Sequence, residues 1–230
     1  MINTYNESDL HNTLKHMYTM TYGGHTEVST GKYVCDVVTD TGDVIEIQTA
    51  NLGKLYPKIR DLLESHKVTL VYPLVVEKTI ELTDEGGGRI SRRKSPKRPN
   101  IYSMFDELTG LYPILLHPGF TLEVLSVSVV EHRMRTAEPV QLVNKSRRFR
   151  KNWIKTGKSL GEIKGRRTFT GKEDYLALLP ASLPESFCAN DLIETEVGKK
   201  ARIMLWVFRK MNLVTLEEKR GRCNYYRKTR

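Results

Sequence analysis

Cysteine is scarce in this sequence, with three in 230 residues: Cys35, Cys188 and Cys223. An odd, widely spaced set makes neither a zinc pattern nor a disulfide framework, so the expectation is buried or incidental thiols in a reducing cytoplasm. Long apolar runs are missing too. The longest candidate, Val68 to Val76, contains Tyr72 and Pro73 and is strand-sized, so no membrane span is expected. The opening MINTYNESDL has neither a basic cap nor an apolar stretch and does not read as a secretory signal. The six histidines form no H-x-H or H-E-x-x-H arrangement, and no GxxxxGK[ST] loop is present. Those absences remove the common zinc-hydrolase and nucleotide-triphosphate signatures.

Charge is present in quantity and unevenly placed. Residues 1–85 hold 7 Lys/Arg and 13 Asp/Glu, net −6, whereas residues 86–230 hold 30 and 14, net +16. Such asymmetry points to a polyanion-binding half beside a half whose carboxylates serve another purpose. Two basic runs stand out. Arg89–Arg98 contains 6 Lys/Arg, and Lys145–Lys172 contains 11 with the single acid Glu162. As phosphate-tracking surfaces they would give salt-dependent binding with little sequence information. Phe149, Trp153 and Phe169, interleaved in the second run, are expected to anchor it to the body.

The coarse pattern is helix, three strands, helix, strand. Leu10, Leu14 and Met17 recur at helical spacing within Asn6 to Met20, and Gly23-Gly24 breaks that helix. Strands are expected at His25 to Ser29, Lys32 to Thr39 and Val44 to Thr49, the last two joined by Thr41-Gly42-Asp43. Leu52 to His66 reads as a helix and Val68 to Val76 as a strand buried on both faces. A ribbon around Gly86-Gly87-Gly88, a short helix from Ile101 to Leu108 and a strand from Leu122 to Val130 follow. The fold class expected is α/β, a mixed sheet between helices. Residues 136–170 are expected to be a basic linker or arm.

Asp36 and Glu46 face each other across the expected hairpin, and Gln48 shares a face with Glu46. Two carboxylates and the Ile47 carbonyl make an oxygen-rich site of the kind Mg²⁺ or Mn²⁺ prefers. The order helix–Glu27-strand–Asp36–turn–Glu46-x-Gln48–helix–strand resembles the PD-(D/E)XK, or restriction-endonuclease-like, nuclease core over roughly the first 75 residues, and the later helix and strand are expected to complete that domain, 1–135. That resemblance implies that Asp36, Glu46 and the Ile47 carbonyl hold the metal, with Glu27 as an auxiliary acid. Gln48 stands where the family usually has Lys; it can orient water through its amide but supplies no charge. Lys54 is the candidate to bring a replacement ammonium, with Lys58 one turn further.

Residues 171–230 are expected to form a compact independent unit. Helices from Asp174 to Leu179, Asn190 to Thr195 and Val197 to Met211 precede a hairpin of Leu213 to Glu217 and Cys223 to Lys228. This order resembles the winged helix-turn-helix family. The resemblance implies DNA contacts from Lys199, Lys200 and Arg202 at the start of the third helix, and from Lys219, Arg220 and Arg222 around Gly221. Together these readings lead to a Mg²⁺-dependent deoxyribonuclease docked on double-stranded DNA, possible as a homodimer. The competing reading is a DNA-binding regulator with a catalytically dead nuclease fold, given weight by the missing Lys.

Overall fold

The computed structural model describes residues 9–141 and 150–229. The expected helix start at Asn6, and Lys145, Arg147, Arg148 and Phe149 of the second basic run, lie outside them. The protein is mixed α/β, with a large mixed sheet flanked by helices. It opens with α1 (Asp9–Tyr22), which buries Leu10, Leu14 and Tyr18 along one stripe. Gly23 and Gly24 then turn the chain at φ 72° and 100°, and a Cβ at Gly24 would lie 2.1 Å from the Val38 carbonyl oxygen. Only glycine permits that approach.

Strands β1 (His25–Thr30), β2 (Tyr33–Val38) and β3 (Val44–Ile47) run antiparallel in succession. A 3-10 turn, Leu52–Leu55, leads into α2 (Tyr56–Leu62), so the expected long helix divides where Pro57 enters. β4 (Val68–Thr83) pairs in parallel with β3 and, further along, antiparallel with β5 (Arg89–Lys94). After a 3-10 turn at Ile101–Met104 comes α3 (Phe105–Leu108), then β6 (Phe120–Val140), parallel to β4. β7 (Lys151–Phe169) closes the sheet, antiparallel to β6. The order is β1-β2-β3-β4-β6-β7, with β5 beside β4.

The linker expected at 136–170 is therefore corrected: most of it is strand. An edge strand needs only one ladder, and lysine and arginine along it discourage pairing with another chain, so few apolar residues suffice. Trp153 packs beneath the Arg133 guanidinium at 3.6 Å, and Phe169 is buried, stacked on Tyr175.

Alternation along β4 sends Leu70, Tyr72 and Leu74 to one face and Val71 to the other. The Val71 face is covered by α1. The opposite face packs α2, α3 and the C-terminal elements: α4 (Lys172–Leu176), β8 (Ser186–Cys188), α5 (Ala189–Ile193), α6 (Ala201–Lys210), β9 (Val214–Arg220) and β10 (Cys223–Lys228). The last three strands named form a second sheet, ordered β8-β10-β9. The expected independence of this unit is also corrected, because one apolar cluster runs from Leu70 through Phe105 to Phe208. Phe105 and Phe208 meet edge to face at 5.5 Å, Tyr102 donates to the Leu178 carbonyl at 3.1 Å, and Asn100 donates to the Glu196 carbonyl at 2.8 Å.

Candidate functional site

β2 and β3 pair at Val37↔Ile45 and Val38↔Val44, and beyond that point side chains replace the ladder. The Ile47 N–H donates to Asp36 Oδ2 at 2.8 Å, and the Asp36 N–H donates to Glu46 Oε1 at 3.3 Å. Two carboxylates thus bridge a splayed strand pair, each satisfying a backbone donor that would otherwise be orphaned.

Each acid is then held from a different side of the sheet. His11, on α1, donates from Nε2 to the Ile47 carbonyl at 2.9 Å and lies 3.2 Å from Asp36 Oδ2. A carbonyl can only accept, so Nε2 carries the proton. Lys58, on α2, donates to Glu46 Oε2 at 2.6 Å and to the Val34 carbonyl at 2.7 Å. Burial pushes the Asp36 carboxyl up, but the bonds from His11 and the Ile47 N–H outweigh it and leave the group below its ordinary range. Glu46 goes the other way. Only 2% exposed, it is raised by burial first and by the Asp36 charge second, and Lys58 does not offset both.

Among the expected site residues, Asp36, Glu46 and the Ile47 main chain meet. Glu27 does not join them: it sits at φ 55° and pairs with Lys15, one helical turn from His11. Gln48 turns back on its own strand end, donating to the Ala50 carbonyl at 2.6 Å. Lys54 is exposed on the 3-10 turn, and Lys58 takes the place proposed for it. The reason is helical reach, since Lys58 projects from α2 while Lys54 precedes it. Of the two helix-borne residues at the site, Lys58 is expected only behind Lys54, and His11 is not among the expected site residues. Their signal lay in position alone, one on each helix bracketing the hairpin.

Among the described residues, no group of three or more His, Cys, Asp and Glu side chains is gathered as a ready metal cage. Asp36 and the Ile47 carbonyl meet at the His11 Nε2–H on the α1 side, and Glu46 meets Lys58 on the α2 side. Carboxylate and carbonyl oxygens are donors of the kind a hard divalent ion prefers, and the His11 N–H orients two of them.

The C-terminal basic residues are also sorted by the fold. The long third helix expected at Val197 to Met211 breaks at Gly198, φ 55°, into a 3-10 turn (Gly198–Lys200) and α6. Lys200 pairs with Asp106 and ties the unit to the body; Lys199 is exposed. Lys219 and Arg220 lie within β9, not in a wide turn, because Cys223 pairs directly with Arg220 around Gly221. Arg220 is held by Glu218 and lies over the Tyr225 ring at 4.4 Å. Arg202 and Arg222 are exposed. On the extended half of the main sheet, Lys78, Lys97, Lys155 and Lys158 line a depression of about 260 Å³ with Glu131. Burial, then the charges of Lys155 and Lys78, depress Lys158.

Residues 8–170 match the family model described as "Domain of unknown function (DUF8091)". The chain belongs to the DUF8091 family. It is also 32% identical, over 229 residues, to an uncharacterized protein of Treponema pallidum (strain Nichols), covering 99% of this chain and 87% of that protein. No solved structure matches it. The family match takes in His11, Asp36, Glu46 and Lys58 and ends just before α4.

Proposed function

We propose that this DUF8091 protein is a divalent-cation-dependent deoxyribonuclease. In this reading its sheet is a PD-(D/E)XK-like core and its C-terminal unit a winged helix that docks DNA. The observation that carries the proposal is the bridge that Asp36 and Glu46 make across β2 and β3, with the Lys58 ammonium 2.6 Å from Glu46. That is the carboxylate–carboxylate–lysine chemistry of the resemblance, with the lysine supplied by the following helix instead of by position 48.

Asp36, Glu46 and the Ile47 carbonyl would hold the ion, with His11 positioning Asp36 and the carbonyl through its Nε2–H. When bound, Mg²⁺ or Mn²⁺ supplies the positive charge that phosphodiester hydrolysis needs at the scissile phosphate. Lys58 has three N–H donors, of which two are committed to Glu46 and Val34, leaving one to orient a water. The surrounding β-strand backbone fixes both acids, so little reorganisation is required of them. Cationic side chains on β5, β7 and α6 would hold the DNA backbone. The order α4, β8, α5, α6, β9, β10, with β10 central in its sheet, supports the winged-helix reading.

A second reading has its own observation. Glu46 is already paired with Lys58, and Asp36 with His11, so both acids are satisfied without an ion. A DNA-binding regulator with an inactive core would look the same. Incubating plasmid and oligonucleotide DNA with the protein in Mg²⁺ and in Mn²⁺ separates the two. Cleavage abolished by Glu46→Ala, with DNA binding retained, supports the nuclease; binding without cleavage in either ion supports the regulator.

A further inference from the structure

α6 turns Ala201, Met204, Leu205 and Phe208 inward and leaves Arg202, Trp206 and Arg209 on one outward stripe, spaced by four and three residues. Opposite that stripe stand Arg222 in the turn before β10, Asn224 of β10 and Asn190 of α5, and together they line a cleft of about 410 Å³. No carboxylate lines it, and among the described residues none of Arg202, Arg209 and Arg222 is in an ion pair with an acid. Trp206 is 43% exposed. It is nevertheless held in place: the Tyr112 ring meets it edge-on at 5.7 Å and 87°, and the Lys210 ammonium lies 5.7 Å from both rings.

Core packing accounts for the buried face of α6 but not for a braced, half-exposed indole among three guanidinium groups. Reading base edges inside a duplex groove calls for hydrogen-bonding side chains such as Arg, Asn and Gln. An indole with flanking cations suits the flat face of an unpaired base and the phosphates on either side of it. We infer that this cleft binds a single-stranded DNA segment, one base stacked on Trp206 and the adjoining phosphates on Arg202, Arg209 and Arg222. The inference rests on the DNA-docking reading above and narrows it: the protein would engage tails, flaps or gaps in preference to intact duplex.

The chain has two tryptophans, so Trp153→Phe leaves Trp206 as the sole indole. That variant is titrated, in EDTA and at one fixed salt concentration, with oligo-dT of about 15 nucleotides and with a blunt hairpin duplex of matched length. The inference expects quenching of Trp206 emission by oligo-dT and affinity about 10-fold or more above that for the hairpin. In the otherwise native chain, Trp206→Leu should weaken oligo-dT binding by about 10-fold or more, and Trp206→Phe, which keeps a stacking face, by much less. Far-ultraviolet dichroism and a melting curve establish that each variant is folded. Hairpin binding as tight as oligo-dT binding, with Trp206 emission unmoved, overturns the inference and leaves DNA docking standing. If neither DNA binds at low salt, both fall.

Discussion

Lys58 Nζ lies 2.6 Å from Glu46 Oε2 while the same carboxylate, through Oε1, accepts the Asp36 N–H at 3.3 Å. One side chain therefore couples helix α2 to the point where β2 and β3 part. Two consequences follow for Lys58→Ala. Removing the cation strands a buried carboxylate, which costs about 3–5 kcal/mol of stability. On the nuclease reading it also lowers the single-turnover cleavage rate by about 10²- to 10³-fold, the scale for loss of one preorganised electrostatic group. Lys58→Arg should recover most of the stability and less of the rate, because a planar fork does not reproduce a point charge. Urea denaturation and quenched-flow cleavage read the two effects separately.

His11 should act on metal affinity from behind the oxygen donors. Its Nε2–H touches both Asp36 and the Ile47 carbonyl and so fixes their orientation. His11→Ala is expected to weaken Mn²⁺ and Mg²⁺ binding by about 10-fold, the scale on which changes behind the ligands act at metal sites. Calorimetric titration of each ion into the variant checks this without a substrate. Unchanged affinities would leave His11 a purely structural clasp.

Acid should loosen the extended half of the sheet through Glu131. Burial raises its carboxyl, but Lys78 at 3.0 Å and Arg133 at 2.5 Å more than compensate and hold it below its ordinary value. A folded-state value below the unfolded one, about 4.3, means the stabilisation is complete above that pH and disappears as pH falls through the folded value. The stability advantage of the native protein over Glu131→Gln should therefore be constant near pH 7 and shrink toward pH 3. Paired urea melts across that range measure it; an advantage that grows in acid contradicts the assignment.

Close backbone contact between Gly53 and Gly110 fixes where α2 begins, and hence where Lys58 points. A Cβ on Gly110 would come within 2.7 Å of the Gly53 Cα. Gly110→Ala is expected to destabilise the protein by about 1–3 kcal/mol, the usual cost of overpacking, and to disturb the Lys58–Glu46 contact with it. Thermal unfolding gives the first effect and a crystal structure of the variant the second.

Much of this architecture could be read from residues. The stripe of Leu10, Leu14 and the Gly23-Gly24 stop gave α1, and the hairpin around Gly42 brought Asp36 opposite Glu46 as expected. Three features were not legible. β7 was hidden because an edge strand rich in lysine and arginine carries no apolar alternation, and its ladder with β6 is backbone. The union of the C-terminal unit with the sheet was hidden because Phe105 and Phe208 are far apart in sequence, and each alone looks like local core. The precedence of Lys58 over Lys54 is not legible because proximity to Gln48 along the chain is not proximity in space: the 3-10 turn at Leu52–Leu55 carries Lys54 outward before α2 turns Lys58 in.

The central claim is that the Asp36–Glu46 bridge hydrolyses DNA with a divalent cation. Its most direct test is a cleavage time course in Mn²⁺ comparing the native protein with Glu46→Ala, both at concentrations where DNA binding is equal. The account predicts products from the native protein alone, none in EDTA, and a loss of at least about 10³-fold in the variant. Equal product formation by the two proteins, or none from either while both bind DNA, would contradict it.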